Sequence, residues 1–375
     1  MKVTILEYSL SHNCLIRSHV LAQILQRNHE VEIAGPVDES GIWAPLAGKY
    51  EYVPIETGSR IYQFPRSITE FRERINGDVL WARKPRSVSF GLGLLLRQLD
   101  DLPLLLDIED WEVGLITANR TQPWLRAVLD LIDCNSLYYT RALEELTSRA
   151  DGVSVSNKFL QSKFDGELIP HVRDESTFDP ERFDEGMIRK QFELPKDDFL
   201  ITFIGTPRKH KGVHIIAEAI AGMEREDVRL LVVGADESAY TDELRRIAGD
   251  RLILVEPQPF EDVPKWVSVA DLVAVPQDDN EGIHGQIPAK VFDAMAMEVP
   301  VIYTPVSDLP EILDGCGVRI DSADPVRLRE AIIELLDDPE RRQALGKAAR
   351  KRFIRKYSVR SCVPVVEELL RTSHK

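Results

Sequence analysis

The stretch FIGTPRKHKG (residues 203–212) places cationic side chains directly after an apolar, strand-like run. That run ends at Gly205, and the cations that follow it are Arg208, Lys209 and Lys211. Where a strand turns into a helix, free backbone N–H groups and the positive end of the helix dipole favour an anion. The added charges make this loop a candidate diphosphate site that could stabilise a departing diphosphate. A solvated basic turn explains the charge pattern alone equally well.

A second candidate anion site lies in DDNEGIHGQIPAKVFDAMAMEVPVI (residues 278–302). Pro288 suits the first turn of a helix, so the pattern predicts a helix that begins there. The backbone N–H groups just before that helix would point toward an anion. They belong to Gly285, Gln286 and Ile287.

The helix predicted after Pro288 carries Lys290 and Asp293 three residues apart, and therefore on one face. A carboxylate one turn into a phosphate-binding helix is well placed to accept hydrogen bonds from a ribose diol. The irregular EPQP loop (residues 256–259) could offer backbone groups to a nucleotide base. Taken singly, Lys290 and Asp293 are better interpreted as a surface ion pair, and the EPQP segment as an ordinary loop.

Carboxylates and an aromatic side chain also end an apolar run in the N-terminal half, LLLDIEDWE (residues 104–112). Glu109, Asp110 and Trp111 are typical components of a sugar site, and Asp110 is the candidate acceptor-side base. His12 and Asn13 follow the first strand-like run and are predicted to contact the same acceptor. Capping carboxylates on a solvated loop are the alternative.

Strand-like runs alternate with helical spacing along the chain, which predicts parallel sheets with right-handed crossovers. The fold class is therefore α/β, with two doubly wound, Rossmann-like domains whose loops face a cleft. We place the domains at residues 1–180 and 181–357, with a C-terminal helix, 358–375, returning to the first. The predicted strands are 3–6, 30–34, 78–81, 104–108, 152–156, 166–169, 199–205, 228–234, 252–255, 272–275 and 299–303.

Composition excludes several classes of protein. At 375 residues, 43% of them hydrophobic, the chain has enough apolar material for two cores. A net charge of −15 argues against general binding of nucleic acid. Four scattered cysteines without a CxxC pair suggest no metal site and fit a reducing, cytoplasmic location. The N-terminus lacks a signal-peptide pattern, and Phe90–Leu106 is too interrupted to span a bilayer.

Four segments in order resemble motifs of the family 4 retaining glycosyltransferases of the GT-B fold. IPHVRDESTFDP (residues 169–180) resembles the inter-domain stretch PNGVDxxxFxP, and IGTPRKHKG resembles the phosphate loop that ends in KG. DVPKWVSVADLVAVPQ resembles the helix–strand pair that leads to the donor site. IPAKVFDAMAMEVPVI resembles the signature KxxEYMAxGxPVV. The resemblance covers nearly the whole chain and is strongest over residues 200–306.

This resemblance implies transfer of a sugar from a UDP- or GDP-type nucleotide sugar to an acceptor hydroxyl. It implies retention of configuration and no metal or other cofactor, with an acceptor that is a carbohydrate, a lipid-linked glycan or a small molecule. The N-terminal domain would bind that acceptor. All contacts with the nucleotide would fall in the C-terminal domain. The phosphates would contact Arg208, Lys211 and the backbone of Gln286 and Ile287. The ribose would contact Asp293, and the base would contact the backbone of Pro257 and Gln258.

The chain departs from the family pattern at the sugar end of the site. Gly285 stands where the family often has the first of two glutamates, so Glu281 or His284 is predicted to hold a sugar hydroxyl instead. Thr206 stands where an arginine usually follows the glycine, so Arg208 must reach the phosphate.

Three alternatives remain open from the sequence. One is another GT-B sugar-nucleotide enzyme, such as an epimerase, and another is a non-enzymatic two-domain sugar-binding protein. A third concerns location: Phe90–Leu96 could face the inner side of a membrane, although a buried helix is the favoured interpretation.

Overall fold

The computed structural model describes residues 1–55, 60–118, 131–278 and 284–373. By internal contacts the chain divides into two units, which are treated separately below. The first comprises Met1–Val172, His284–Gln286 and Cys362–Lys375, and the second comprises Arg173–Ile283 and Ile287–Ser361. The predicted domain limits and domain roles stay predictions, because this division does not identify what either unit binds.

A parallel sheet of seven strands, in the order β3-β2-β1-β4-β5-β6-β7, forms the centre of the first unit. Its strands are β1 (Lys2–Leu6), β2 (Glu30–Pro36), β3 (Glu51–Ile55), β4 (Val79–Arg83), β5 (Leu104–Ile108), β6 (Gly152–Val155) and β7 (Glu167–Leu168). Its helices are α1 (Leu15–Leu25), α2 (Phe64–Arg74), α3 (Leu92–Asp100), α4 (Glu112–Ala118), α5 (Leu137–Glu144) and α6 (Lys158–Phe164). The order 3-2-1-4-5 is that of a doubly wound fold.

The second unit contains a six-stranded parallel sheet in the order β10-β9-β8-β11-β12-β13. Its strands are β8 (Phe199–Ile204), β9 (Val228–Val233), β10 (Leu252–Val255), β11 (Leu272–Val275), β12 (Val301–Tyr303) and β13 (Gly317–Arg319). Its helices are α7 (Glu185–Gln191), α8 (Val213–Ala221), α9 (Ala239–Ala248), α10 (Val263–Ser268), α11 (Lys290–Ala296), α12 (Leu309–Ile312), α13 (Pro325–Asp337) and α14 (Pro339–Lys356). A last helix, α15 (Val359–Ser373), begins in this unit and continues into residues grouped with the first.

Strands buried on both faces account for the apolar runs in the sequence, because helices cover both sides of such sheets. Every residue of β5 is buried, as is every residue of β11. In the first unit Leu80 and Leu106 belong to a core that also includes Phe71 and Phe90. In the second unit the strands and helices α8 and α13 share one core, and β8 and β9 also contact a smaller cluster around Trp266.

The predicted strands are all present, with limits within two residues of those observed. Two further strands, β3 and β13, were not predicted. Both lie at sheet edges, and their sequences, EYVPI and GVR, lack a continuous apolar run. An edge strand tolerates proline and needs fewer apolar residues, which explains why the pattern is weak there.

The membrane-facing interpretation of Phe90–Leu96 is wrong. Phe90, Leu92 and Leu96 are fully buried in the core of the first unit, so this stretch is a buried helix. Among the described residues, no helix is both long and apolar enough to cross a membrane.

Candidate functional site

The loop after β8 approaches the loop after β11, where the strand order of the second sheet reverses. Gly212 ends the cationic loop with a φ of +72°. A Cβ atom at this position would lie 2.0 Å from the carbonyl oxygen of Pro276, which follows β11. Only glycine fits this conformation and this distance. In doubly wound sheets ligands bind at this reversal point, beyond the carboxyl ends of the strands.

Gly205, the first residue after β8, leaves its backbone open. Its φ is +112°, and a Cβ there would have no heavy atom within 4 Å. A ligand can therefore reach this backbone closely. Thr206, next along the chain, uses its carbonyl oxygen to accept a hydrogen bond of 2.8 Å from Lys211 Nζ.

Two half-buried lysines meet at this point of the second unit. Burial, together with the charge of Arg208, lowers the pKa of Lys211 to about 8. Burial and the charge of Lys211 lower the pKa of Lys290 to about 7, with Asp293 opposing the change. Lys290 Nζ also lies 4.3 Å from the ring centroid of Phe203. A bound anion stabilises cations whose pKa is lowered by burial and by a neighbouring positive charge, so the pair provides an anion site.

Arg208 is the exposed member of this cationic cluster. Its side chain is 52% exposed and its nearest carboxylate, Asp236, is 3.7 Å away. This loose pair costs little to break, so Arg208 is free to turn toward a ligand. The structure thus brings Arg208, Lys211 and Lys290 together, although they come from segments that are far apart in the sequence.

Asp293, the predicted ribose carboxylate, lies in a buried ion pair. Arg173 Nε is 2.5 Å from Asp293 Oδ1, and the two side chains are 2% and 7% exposed. Sequence analysis did not single out Arg173. One signal was available. At position 173, directly before Asp174, the motif that this segment resembles has an apolar valine, whereas this chain has an arginine.

The EPQP loop presents backbone groups, as base recognition would require. Pro257 is exposed, and the Gln258 side chain donates a 3.0 Å hydrogen bond to the carbonyl of Glu256 within the loop. Phe260 anchors the end of the loop and is buried. The backbone of Pro257 and Gln258 forms no hydrogen bond within the described part of the chain.

The segment before α11 differs from the prediction. The helix begins at Lys290 and not at Pro288, with Ala289 as its N-cap residue. Gly285 is grouped with the first unit, where an added Cβ would lie 2.8 Å from the Trp111 Cβ. Gln286 belongs to the same group, and Ile287 is buried in the second unit. These backbone groups therefore do not open the helix, and their predicted phosphate contacts stay untested.

The residues proposed to replace the missing glutamate are Glu281 and His284. Glu281 lies outside the described residues. The ring of His284 is 6.4 Å from that of Phe159 within the first unit. A role for either residue at the sugar remains a prediction.

A buried ionic network occupies the carboxyl ends of the strands in the first unit. Its centre is Asp107 on β5, which accepts two hydrogen bonds from Arg17, of 2.8 and 3.1 Å, and another from Arg83. Ser154 donates to the same carboxylate at 2.6 Å. Although burial alone would raise the pKa of Asp107, Arg17 and Arg83 lower it to about 2. Asp107 therefore stays ionised at neutral pH, and its role is structural.

Asp110, the candidate base, lies at the more open end of this network. Lys84 Nζ is 2.9 Å from Asp110, 3.2 Å from Glu109 and 2.7 Å from Glu112. Burial raises the pKa of Asp110, whereas Lys84 lowers it. The pKa of Glu109 is lowered: burial opposes this, and Arg83 and Lys84 outweigh it. Of the three carboxylates around Lys84, Asp110 thus has the greatest tendency to hold a proton.

The remaining predicted acceptor residues are spread over the same end of the first unit. The His12 side chain is 60% exposed and lies 3.4 Å from Asp38, and Asn13 is exposed. Trp111 packs against Phe159, with ring centroids 5.6 Å apart, and Lys163 Nζ lies 5.0 Å from its ring. Exposure leaves His12 and Asn13 available to a ligand, whereas Trp111 already has packing partners.

Residues 198–338 match a protein-family model described as glycosyl transferases group 1. A D-inositol 3-phosphate glycosyltransferase of Corynebacterium diphtheriae is 31% identical over 43% of this chain and 40% of its own length. A GDP-mannose-dependent monoacylated alpha-(1-6)-phosphatidylinositol monomannoside mannosyltransferase of Corynebacterium glutamicum is 32% identical over 38% of this chain and 39% of its own length. The crystal structure of Anabaena HepE in complex with UDP and glucose matches 99% of both chains with a TM-score of 0.77, at 16% identity.

Over residues 198–338 the chain is therefore similar to the glycosyl transferases group 1. This similarity agrees with the predicted glycosyltransferase family, and the predicted two-domain GT-B fold is confirmed. The chain spans only about 40% of the length of the curated relatives that it matches. The group 1 match includes the whole cationic cluster and Asp293, whereas Arg173 and the Asp107 network lie outside it.

Proposed function

We propose that this protein transfers a sugar, with retention of configuration, from a nucleoside-diphosphate sugar to an acceptor hydroxyl. The observation that carries the proposal is the cluster of Arg208, Lys211 and Lys290 at the reversal point of the second sheet. Two lysines with lowered pKa values and an unburied arginine form a site that favours a doubly charged anion. A diphosphate meets that requirement.

The cluster supplies the electrostatic part of the proposed reaction. The bond from the anomeric carbon to the diphosphate breaks, and the acceptor oxygen bonds to that carbon on the same face. The acceptor proton passes to an oxygen of the departing diphosphate. Negative charge grows on that leaving group, and charge-assisted contacts from Lys211, Lys290 and Arg208 stabilise it. In this scheme three side-chain cations neutralise the leaving group, so we propose that no metal is needed.

The nucleoside end of the donor is assigned to the same unit. Asp293 would accept from the ribose diol, and the open backbone of Pro257 and Gln258 would meet the base. Relatives suggest which donors to test, because one depends on GDP-mannose and a structural neighbour binds UDP and glucose. We propose a UDP- or GDP-type donor in the synthesis of a glycan, glycolipid or polysaccharide.

The acceptor end is assigned to the first unit. Asp110 would hold the acceptor, since burial keeps its pKa raised and Lys84 orients its carboxylate. His12 and Asn13 offer exposed polar groups in the same unit. Four buried cysteine thiols support a reducing, cytoplasmic location.

Calorimetric titration with UDP, GDP and ADP tests the proposal. The wild-type protein should bind at least one of the three, and Lys211→Ala should weaken that binding by about tenfold to a hundredfold. Lys347→Ala, an exposed lysine on α14, is the matched control and should bind like wild type. Failure of the wild type to bind any nucleotide would refute the proposal, and unchanged binding by Lys211→Ala would remove Lys211 from the phosphate site.

A further inference from the structure

Arg173 is a buried cation that the proposed reaction does not use directly. Its guanidinium Nε donates to Asp293 Oδ1 at 2.5 Å. No other hydrogen bond of this carboxylate involves the described residues. One oxygen of Asp293 is thus fixed by Arg173, and the other keeps its capacity to accept from a ligand.

The backbone of Arg173 is held independently of Asp293. Its N–H donates to the carbonyl of Tyr357 at 3.2 Å, and its own carbonyl accepts from the N–H of Val359 at 2.9 Å. The side chain therefore starts from a fixed point at the beginning of the second unit. A cation anchored in this way orients its partner, because it loses little entropy when the ion pair forms.

Two aromatic rings lie within cation–π distance of the guanidinium. Its central carbon lies 5.8 Å from the ring centroid of Phe178 and 5.5 Å from that of Phe260. Phe260 directly follows the EPQP loop whose backbone we assign to the base. Arg173 therefore contacts both the ribose carboxylate and the anchor of the base loop.

From these contacts we propose that Arg173 is the positioning residue of the nucleoside half of the donor site. It aims the free oxygen of Asp293 at the ribose diol and holds the base loop beside it. A lysine could supply the charge, but not the planar group that faces two rings while donating from Nε. This inference rests on the proposed function, since it assumes a nucleoside diphosphate at the site.

The test measures discrimination for the ribose diol, which a purely structural role would leave unchanged. Affinities for UDP and GDP are compared with those for their 2′,3′-dideoxy counterparts in four variants: Arg173→Met, Arg173→Lys, Asp293→Asn and Arg189→Met. Wild type should prefer the diol by about tenfold, the effect of a charge-assisted hydrogen bond. Arg173→Met and Asp293→Asn should reduce this ratio to about one, with Arg173→Lys in between.

Arg189→Met is the matched control, because Arg189 is also a buried arginine in the second unit. It donates to Asp271 at 2.9 Å, just before β11 begins and so at the opposite ends of the strands. This variant should lose stability and keep the wild-type ratio. A diol-to-dideoxy affinity ratio near ten in Arg173→Met, or near one in wild type, would overturn this inference and leave the proposed function unaffected. A wild type that binds neither UDP nor GDP would overturn the proposed function, and this inference with it.

Discussion

Lys290 lies within electrostatic reach of Lys211, and burial together with that second charge lowers the pKa of Lys290 to about 7. The two residues are 79 positions apart in the chain, on α11 and on the loop after β8. Placing two cations together costs free energy that only a counter-charge can offset. A diphosphate would recover that free energy on binding.

The lowered lysine pKa values predict that nucleotide binding takes up protons. In the free protein Lys290 and Lys211 lose protons as pH rises past about 7 and about 8. A bound diphosphate favours the charged lysines and raises both pKa values, so affinity should fall as pH rises from 7 to 9. Calorimetry at pH 8.5, in two buffers with different ionisation enthalpies, should show uptake on the order of one proton per nucleotide. Identical apparent enthalpies in the two buffers would contradict this account.

Gly212→Ala should destabilise the protein far more than alanine at another left-handed glycine. Gly212 and Gly315 both have a φ of +72°, but only Gly212 has a carbonyl 2.0 Å from the added Cβ. Gly315→Ala should cost about 1 kcal/mol from backbone strain alone. Gly212→Ala should cost several kcal/mol in urea unfolding, and should also disturb the cationic loop. Equal losses in the two variants would show that the approach to Pro276 imposes no constraint.

The Asp107 network should make the first unit sensitive to acid. Because the pKa of Asp107 is about 2 in the folded protein, its ion pairs stabilise the fold fully above about pH 4. That stabilisation, about 2 kcal/mol, should be lost as pH falls toward 2. Urea unfolding at pH 6 and pH 3 measures the difference.

Asp107→Asn provides the corresponding mutational test at neutral pH. It removes the carboxylate that faces buried Arg17 and one of the carboxylates that face buried Arg83, so it should cost about 3–5 kcal/mol or prevent folding. Asp100→Asn breaks an exposed pair with Arg72 and should cost less than about 1 kcal/mol. Near wild-type stability of Asp107→Asn would show that the network does not support the fold.

Local patterns were sufficient to predict most of the fold and the cationic loop. The limits of β5 and β11 match their predictions because each is an apolar run bounded by polar residues. The start of α11 was misplaced by two residues, since proline marks the first turn of a helix only approximately.

Long-range pairs were beyond sequence analysis. Arg173 and Asp293 are 120 residues apart, and Arg17 and Asp107 are 90 apart, so no local spacing relates them. Their pairing depends on which strand ends meet in the sheets. The sequence likewise suggested Asp110 as the acceptor-side carboxylate but did not indicate its ion pair with Lys84.

The central claim is turnover of a nucleotide sugar, and release of nucleoside diphosphate measures it most directly. A panel of UDP- and GDP-sugars, each incubated with wild type and with a Lys211→Ala, Lys290→Met double variant, would be assayed without acceptor for slow hydrolysis. Our account predicts that wild type releases UDP or GDP from at least one sugar and that the double variant slows this release by at least about a hundredfold. Release at the same rate by both proteins, or release from none of the sugars, would contradict it.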